Sequence, residues 1–284
     1  MKTILTIVLC TLMLSCHTSN QRTATEQATG RQETERLDTV SLKQLSGTEW
    51  VQVRPKCGDS YQIIGFSDSI FTRKITINKI LSTWKFRFYL SDGIPERFDF
   101  SRVGMSDSGT HIVKYDSDSR SILCNKVISI HGDSLTLFCK NEPSSSINNI
   151  RDTVFVFKRL RPVSSKQLDG TAWTYIESVG KTDFEVIGFS SELMQYVDHT
   201  DYEDFPLGSQ KYYLSPTVGE PFDSLKVGKP TSGNYLYTQD VESDWSEKWL
   251  IETLDEEKGI MVTRGSHRFT NMENKCILKR IYPK

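Results

Sequence analysis

The sequence predicts an all-β protein of two tandem eight-stranded up-and-down barrels that follow an export signal and a polar tether. Three observations support this fold class. One unit occurs twice, at an offset of about 123 residues. Each unit is a series of short alternating runs separated by turn residues, and neither unit contains a useful apolar run with the 3.6-residue period of a helix.

Composition excludes several classes of protein. Of 284 residues, 37% are hydrophobic and 25% are charged, which suffices for a buried core and argues against a disordered or polytopic membrane chain. The formal net charge of -1 provides no basic field that could hold nucleic acid, so we expect no nucleic-acid partner.

Residues 1–15 are predicted to be a lipoprotein signal peptide. Lys2 gives the positive start, and the apolar run 4–14 is too short to span a bilayer, which needs about 20 residues. The run ends in Ser15-Cys16 and resembles a lipobox, which implies cleavage before Cys16 and diacylation of its thiol. The alternative is an ordinary signal peptide that is cut nearby, with Cys16 incidental.

Residues 16–39 are predicted to be a lipidated flexible tether. They contain no aromatic residue, and Leu37 is their only large aliphatic one. Such a segment cannot bury enough surface to offset the entropy lost on ordering.

The two repeats divide the rest of the chain into residues 40–162 and 163–284. Matching segments keep offsets of 121 to 124: VSLKQLSGTEW (40–50) with VSSKQLDGTAW (163–173), IIGFS (63–67) with VIGFS (186–190), and FKRLRP (157–162) with LKRIYP (278–283). The first repeat predicts strands at 50–54, 61–67, 70–77, 84–91, 97–102, 111–116, 121–130, 134–140 and 153–160. Meander order favours a barrel, and a two-sheet sandwich is the alternative.

The start of each repeat resembles a known family. Gly47-Thr48-Glu49-Trp50 and its copy, which ends at Trp173, look like the opening of lipocalin-like (calycin-type) barrels. The resemblance implies that an arginine of the last strand packs over each indole, which pairs Trp50 with Arg159 and Trp173 with Arg280 as structural residues. The whole pattern is most similar to lipocalin-like lipoprotein domains of Bacteroidetes.

That resemblance also implies a location. We expect a lipid anchor in the outer membrane. Export to the cell surface in Bacteroidetes is associated with acidic residues just after the lipidated cysteine, and 17–25 contain none. The periplasmic face is therefore favoured.

The sequence contains few patterns that are typical of catalytic or metal-binding sites. There is no His-Glu-x-x-His, Cys-x-x-Cys or Gly-x-Ser-x-Gly pattern, and no histidine recurs in the other repeat. The acidic loop with Asp198, Asp201, Glu203 and Asp204 is either a calcium site or a solvated loop, and its spacing matches no calcium motif. We therefore expect no catalytic residues, no metal and no cofactor.

Two cysteines flank one predicted hairpin, and export makes a disulfide feasible. A turn at His131-Gly132 would place Cys124 opposite Cys139, whereas a turn at Gly132-Asp133 would place it opposite Asn141. Both registers remain open at this point.

The repeats differ in charge: residues 40–162 carry 18 Lys+Arg and 12 Asp+Glu, and residues 163–284 carry 13 and 20. One interpretation of this difference is functional: the two repeats bind different partners, or the protein self-associates. The other interpretation is that the charges drifted apart after duplication and that the two halves attract each other.

Three function classes compete. The first is non-catalytic binding of a protein partner through barrel loops, in its sharpest form as a peptidase inhibitor, since tethered barrel inhibitors occur as lipoproteins in oral Bacteroidetes. It is favoured because the connections diverge most between repeats, as in 78–83 against 199–209. The alternative is a carrier of a small apolar ligand, although plentiful aromatics could fill the barrels. An enzyme is the third.

Overall fold

The computed structural model describes residues 38–55, 61–77, 80–105, 108–143, 150–265 and 275–282. They form two closed antiparallel barrels of eight strands each in up-and-down order, which confirms the predicted fold class. This architecture is consistent with a lipocalin-like fold. Both barrels belong to one compact unit. The predicted signal peptide, Cys16 and nearly all of the predicted tether lie outside the described residues.

The first barrel closes by pairing its last strand with its first. Its elements are β1 Val40–Ser41, α1 Leu42–Leu45, β2 Thr48–Arg54, β3 Tyr61–Phe66, β4 Ile70–Ile77, β5 Ile80–Ser91, a 3-10 helix Phe100–Arg102, β6 Ser108–Gly109, β7 His111–Asp116, β8 Ser121–His131, β9 Ser134–Pro143 and β10 Ile150–Leu160. The barrel order is β10-β2-β3-β4-β5-β7-β8-β9, and β1 pairs separately with β6.

The second barrel repeats this plan. Its elements are β11 Val163–Ser164, α2 Ser165–Leu168, β12 Thr171–Tyr175, a 3-10 helix Ile176–Ser178, β13 Phe184–Phe189, β14 Leu193–His199, β15 Asp204–Ser215, a 3-10 helix Ser224–Lys226, β16 Ser232–Gly233, β17 Tyr235–Asp240, β18 Ser246–Asp255, β19 Ile260–Gly265 and β20 Lys275–Tyr282. The strands close in the order β12-β13-β14-β15-β17-β18-β19-β20, and β11 pairs with β16.

A short helix covers one end of each barrel, which we call the closed end. In α1, Ser41 and Gln44 form a capping box: the Gln44 amide donates to Ser41 Oγ at 3.3 Å, and the Ser41 amide donates to Gln44 Oε1 at 2.8 Å. Leu45 is buried against the barrel core, as is Leu168 of α2 in the second barrel. The sequence analysis missed both helices, although the Ser-x-x-Gln pattern occurs in each repeat.

The opposite end of each barrel is the open end. Up-and-down connectivity places the connections after β12, β14, β17 and β19 there in the second barrel. Inside the first barrel, alternation along β5 points Phe86, Phe88 and Leu90 into the core, while Tyr89 packs outside against Phe98. Strand alternation therefore determines which side chains face the lumen at each open end.

The strand predicted at 97–102 is wrong. The segment is a connection that ends in the 3-10 helix Phe100–Arg102, and Asp99 Oδ1 accepts a hydrogen bond from the Ser101 amide at 3.0 Å. Its alternating aromatics face the outside of the barrel, where the Phe98 ring lies 5.2 Å from that of Tyr115. The alternation thus reflects packing of a loop on the barrel wall. The segment adds no strand to the barrel, because eight other strands already close the sheet.

The barrels pack against each other through an apolar cluster. Its members come from the outer faces of both barrels: Val51, Ile63, Leu160, Tyr213, Tyr235, Tyr237 and Leu250. Beside the cluster, Lys74 Nζ lies 2.5 Å from Glu49 Oε1 and donates to the Tyr235 hydroxyl at 3.2 Å. The two barrels are therefore in direct contact.

Candidate functional site

The four residues singled out by the family resemblance lie at the closed ends. Trp50 is directly opposite Arg159 in register, and the Arg159 guanidinium lies 5.8 Å from the indole centroid. Trp173 is likewise opposite Arg280, at 4.8 Å. Both indoles are fully buried, so these pairs stabilise the barrel.

A threonine fixes each indole. Trp50 Nε1 donates to Thr48 Oγ1 at 2.7 Å, and Trp173 Nε1 donates to Thr171 Oγ1 at 2.8 Å. Each threonine hydroxyl in turn donates to a leucine carbonyl of the covering helix. The Gly-Thr-x-Trp motif therefore joins the first strand to the helix that covers the barrel.

The hairpin between β8 and β9 does not place Cys124 opposite Cys139. Its turn is Gly132-Asp133, and a bulge between Val127 and Ser129 shifts the register so that Asn125 faces Cys139. Asn125 Nδ2 donates to Cys139 Sγ at 2.6 Å inside the barrel. No disulfide joins Cys124 to Cys139, because neighbouring residues of a strand point to opposite faces. Cys57 lies outside the described residues.

The acidic loop is held by its own contacts. Thr200 Oγ1 donates to the Glu203 carbonyl at 2.8 Å, and His199 Nδ1 lies 2.5 Å from Asp204 Oδ1. In the part of the chain that the structure describes, His, Cys, Asp and Glu side chains form no group of three or more that could hold a metal. The solvated-loop interpretation fits these contacts, in which Asp204 is paired with His199.

The lumen of the first barrel is filled by side chains. Beside Lys114, Asn125 and Phe157, the remaining space is about 10 Å³, no more than a single water needs. Lys114 is 2% exposed, and its Nζ lies 4.7 Å from the ring centroid of Phe71. This part of the lumen has no room for an apolar ligand.

The open end of the second barrel exposes apolar side chains on three connections. We call them the open-end surface: Ile176, Val179, Tyr202, Phe205, Val241 and Trp245. Tyr202 is 98% exposed at the tip of its hairpin. The side chains come from the connections after β12, β14 and β17 and, for Phe205, from the start of β15. The barrel therefore brings to one end residues that are far apart in the sequence.

The same three connections are acidic. Residues 176–183, 200–203 and 241–245 contain six Asp or Glu residues and one lysine, Lys181. Exposed aromatic and aliphatic groups framed by carboxylates form a surface that suits a basic partner with apolar anchors. The sequence analysis identified one of these connections by its divergence, 199–209. It missed the other two, whose apolar residues are scattered singly.

The first barrel offers a different feature near its own open end. A cleft of about 960 Å³ runs beside the hairpin between β7 and β8. Its lining combines apolar groups such as Trp84 and Ile94 with the cations Arg120 and Lys140. The volume is in the range of small-molecule pockets, which are commonly about 300–1,000 Å³.

Comparison with family models, curated proteins and solved structures finds no match to this chain. Within the described ranges, no helix is long and apolar enough to cross a membrane.

Proposed function

We propose that this chain is a non-catalytic, lipid-anchored envelope protein that binds a protein partner through the open-end surface of its second barrel. The observation that carries the proposal is the exposure of Tyr202, Trp245 and their apolar neighbours on three adjacent connections. Exposed apolar groups of this kind, rimmed by polar residues, are typical of interaction sites. Aromatic anchors also provide much of the binding energy of protein interfaces.

Charge narrows the class of partner. The acidic connections favour a basic surface, and a secreted or envelope peptidase is the partner class that we would test first. Cleavage at Ser15-Cys16 and diacylation of Cys16 would anchor the protein in the outer membrane, and we place the barrels on the periplasmic side. The likeness to Bacteroidetes lipoproteins belongs to this proposal and rests on the sequence motifs of both repeats.

The test compares two double variants of the lipid-anchored full chain. Tyr202→Ala/Trp245→Ala removes two anchors of the open-end surface. Met105→Ala/Leu225→Ala removes two equally exposed apolar side chains from the connections between β5 and β6 and between β15 and β16. Each protein is immobilised in detergent and presented with envelope and secreted fractions and with purified peptidases. We expect the first variant, and not the second, to lose at least tenfold of a captured partner.

Two results would overturn this function. One is equal loss of the partner by both variants, which would separate binding from the open end. The other is a stoichiometric lipophilic ligand in native mass spectrometry with no protein partner. That result would support the second candidate, a small-ligand carrier, for which the cleft lined by Trp84 in the first barrel is the supporting observation.

A further inference from the structure

The cleft of the first barrel carries cations that are not neutralised within the chain. The charged side chains of its lining are Arg73, Glu96, Asp116, Arg120 and Lys140. Arg120 and Lys140 are exposed, and in the part of the chain that the structure describes neither forms a salt bridge. Asp116 already accepts a hydrogen bond from the Ser119 hydroxyl of its own turn at 2.7 Å. Arg120 and Lys140 can therefore pair with carboxylates of another molecule.

Apolar side chains lie beside these cations. Trp84 is 43% exposed and Ile94 is 66% exposed, and both line the cleft. The cleft volume of about 960 Å³ is far more than one aromatic side chain needs, because pockets of about 300–1,000 Å³ hold whole small molecules. An apolar wall with unpaired cations complements an aromatic side chain that is flanked by carboxylates.

The hairpin between β14 and β15 presents such a side chain on a closed turn. Tyr202 is 98% exposed at its tip, and Asp201 and Glu203 are its neighbours in the sequence. Thr200 Oγ1 donates to the Glu203 carbonyl at 2.8 Å and accepts from the Glu203 amide at 3.2 Å. Because these hydrogen bonds already fix the turn, little conformational entropy is lost when the tip binds.

The cleft and the hairpin tip do not meet within one chain. The nearly complete exposure of Tyr202 shows that its own first barrel does not cover it. The first repeat has an excess of basic residues and the second an excess of acidic ones, whereas the whole chain has a net charge of only -1. Two copies therefore repel each other little as wholes, while the second barrel of one attracts the first barrel of the other.

We propose that the open-end surface of the second barrel docks into the cleft of the first barrel of a second copy of this chain. Tyr202 packs on the apolar wall of the cleft, and Asp201 and Glu203 face Arg120 and Lys140. The contact joins two different surfaces, so it either closes reciprocally between two copies or extends into a longer assembly. It uses the open-end surface and so rests on the proposed function, for which it names a second copy as one occupant.

The test measures self-association of the purified full chain by sedimentation velocity in density-matched detergent. We expect the sedimentation coefficient to rise with protein concentration. Arg120→Glu/Lys140→Glu and Asp201→Lys/Glu203→Lys should each raise the dissociation constant at least tenfold, because like charges then face each other. An equimolar mixture of the two variants should associate again, because each then meets the opposite charge on the other. That recovery would also show that both variants are folded.

The matched control is Lys43→Glu/Lys229→Glu, which reverses two exposed lysines outside both surfaces and should leave the dissociation constant unchanged. A monomer at all concentrations up to about 100 µM would overturn the proposal. So would an equal loss in the control, or a mixture of the two reversed variants that stays monomeric. Arg120→Glu/Lys140→Glu leaves the open-end surface intact and should still capture an envelope partner. Loss of self-association therefore reports on this contact, and loss of capture reports on the proposed function.

Discussion

The two barrels are alike at their closed ends and different in their open halves. Each closed end has a capped helix, a buried tryptophan under an arginine, and a glycine where a side chain cannot fit. A Cβ at Gly109 would lie 2.4 Å from the backbone of Ser91, and one at Gly233 would lie 2.0 Å from that of Ser215. The closed end is therefore the part of the fold that the duplication could not vary.

The open halves show what could vary. The first carries Lys114 above aromatic rings, whereas the second has Thr238 and Gln210 among its buried residues. This difference extends the opposite net charges of the repeats into the barrel interiors. Duplication of a closed barrel thus leaves one end free to acquire new chemistry while the other maintains the frame.

The largest expected effect tests the likeness of the closed ends. Trp50→Ala and Trp173→Ala each remove a fully buried indole, so each should lower the free energy of unfolding by about 3–5 kcal/mol. Urea denaturation followed by circular dichroism measures the loss. Trp84→Ala, at a partly exposed indole of the open half, should cost much less. If Trp84→Ala lowered the free energy of unfolding as much as Trp50→Ala, that result would contradict the division of each barrel into a closed end that is alike and an open half that differs.

Much of the frame could be predicted from the sequence because local patterns encode it. Repeated motifs, alternation and turn residues predicted the barrel order, and the resemblance of the Gly-Thr-x-Trp motif to lipocalin-like barrels implied both indole–arginine pairs. The bulge in β8 was not predictable, because no residue type at 127–129 distinguishes it, and the shift it causes separates Cys124 from Cys139. The open-end surface was not predictable either, because its three connections are far apart in the sequence. Only closure of the barrel brings them to the same end.

The next effect tests where the oppositely charged barrels meet. Lys74→Met leaves Glu49 and the Tyr235 hydroxyl without their shared partner at the edge of the apolar interface. We expect a loss of about 1–3 kcal/mol in the free energy of unfolding. Lys85→Met, at an exposed lysine of β5, is the matched control and should change stability by about 0.5 kcal/mol or less. Similar losses in the two variants would show that the interface contact contributes nothing specific.

A smaller effect should depend on pH and distinguish the two lumens. Burial, with the cross-strand carboxylate of Asp198, raises the pKa of Glu185 to about 7, from an ordinary value of 4.5. Between these values the unfolded chain releases the proton while the folded chain keeps it, so stability falls as the pH rises from 4.5 to 7. Tyr175 also lies near this group, and Tyr196 and Cys276 lie near Tyr175.

Glu185→Gln should therefore raise the melting temperature at pH 8 and leave it nearly unchanged at pH 4. The first barrel provides the control, because Gln62 occupies the matching position and accepts a hydrogen bond from Arg73 Nε at 3.0 Å. Gln62→Glu would place a carboxylate beside that guanidinium, and we expect no comparable loss of stability at pH 8. Thermal melts of both variants at the two pH values decide the matter, and a pH-independent gain for Glu185→Gln would exclude the linkage.

The smallest effect on stability should come from the open-end surface. Tyr202 is almost wholly exposed and Trp245 is about half exposed, so Tyr202→Ala/Trp245→Ala should change the free energy of unfolding by no more than about 0.5 kcal/mol per residue. A side chain that does so little for the fold and yet presents a large apolar surface to water is available for contact with a partner. If the double variant melts well below the unmodified chain, the side chains serve packing and the surface is not a docking site. If stability is kept and a partner is lost, the open end of the second barrel carries the activity.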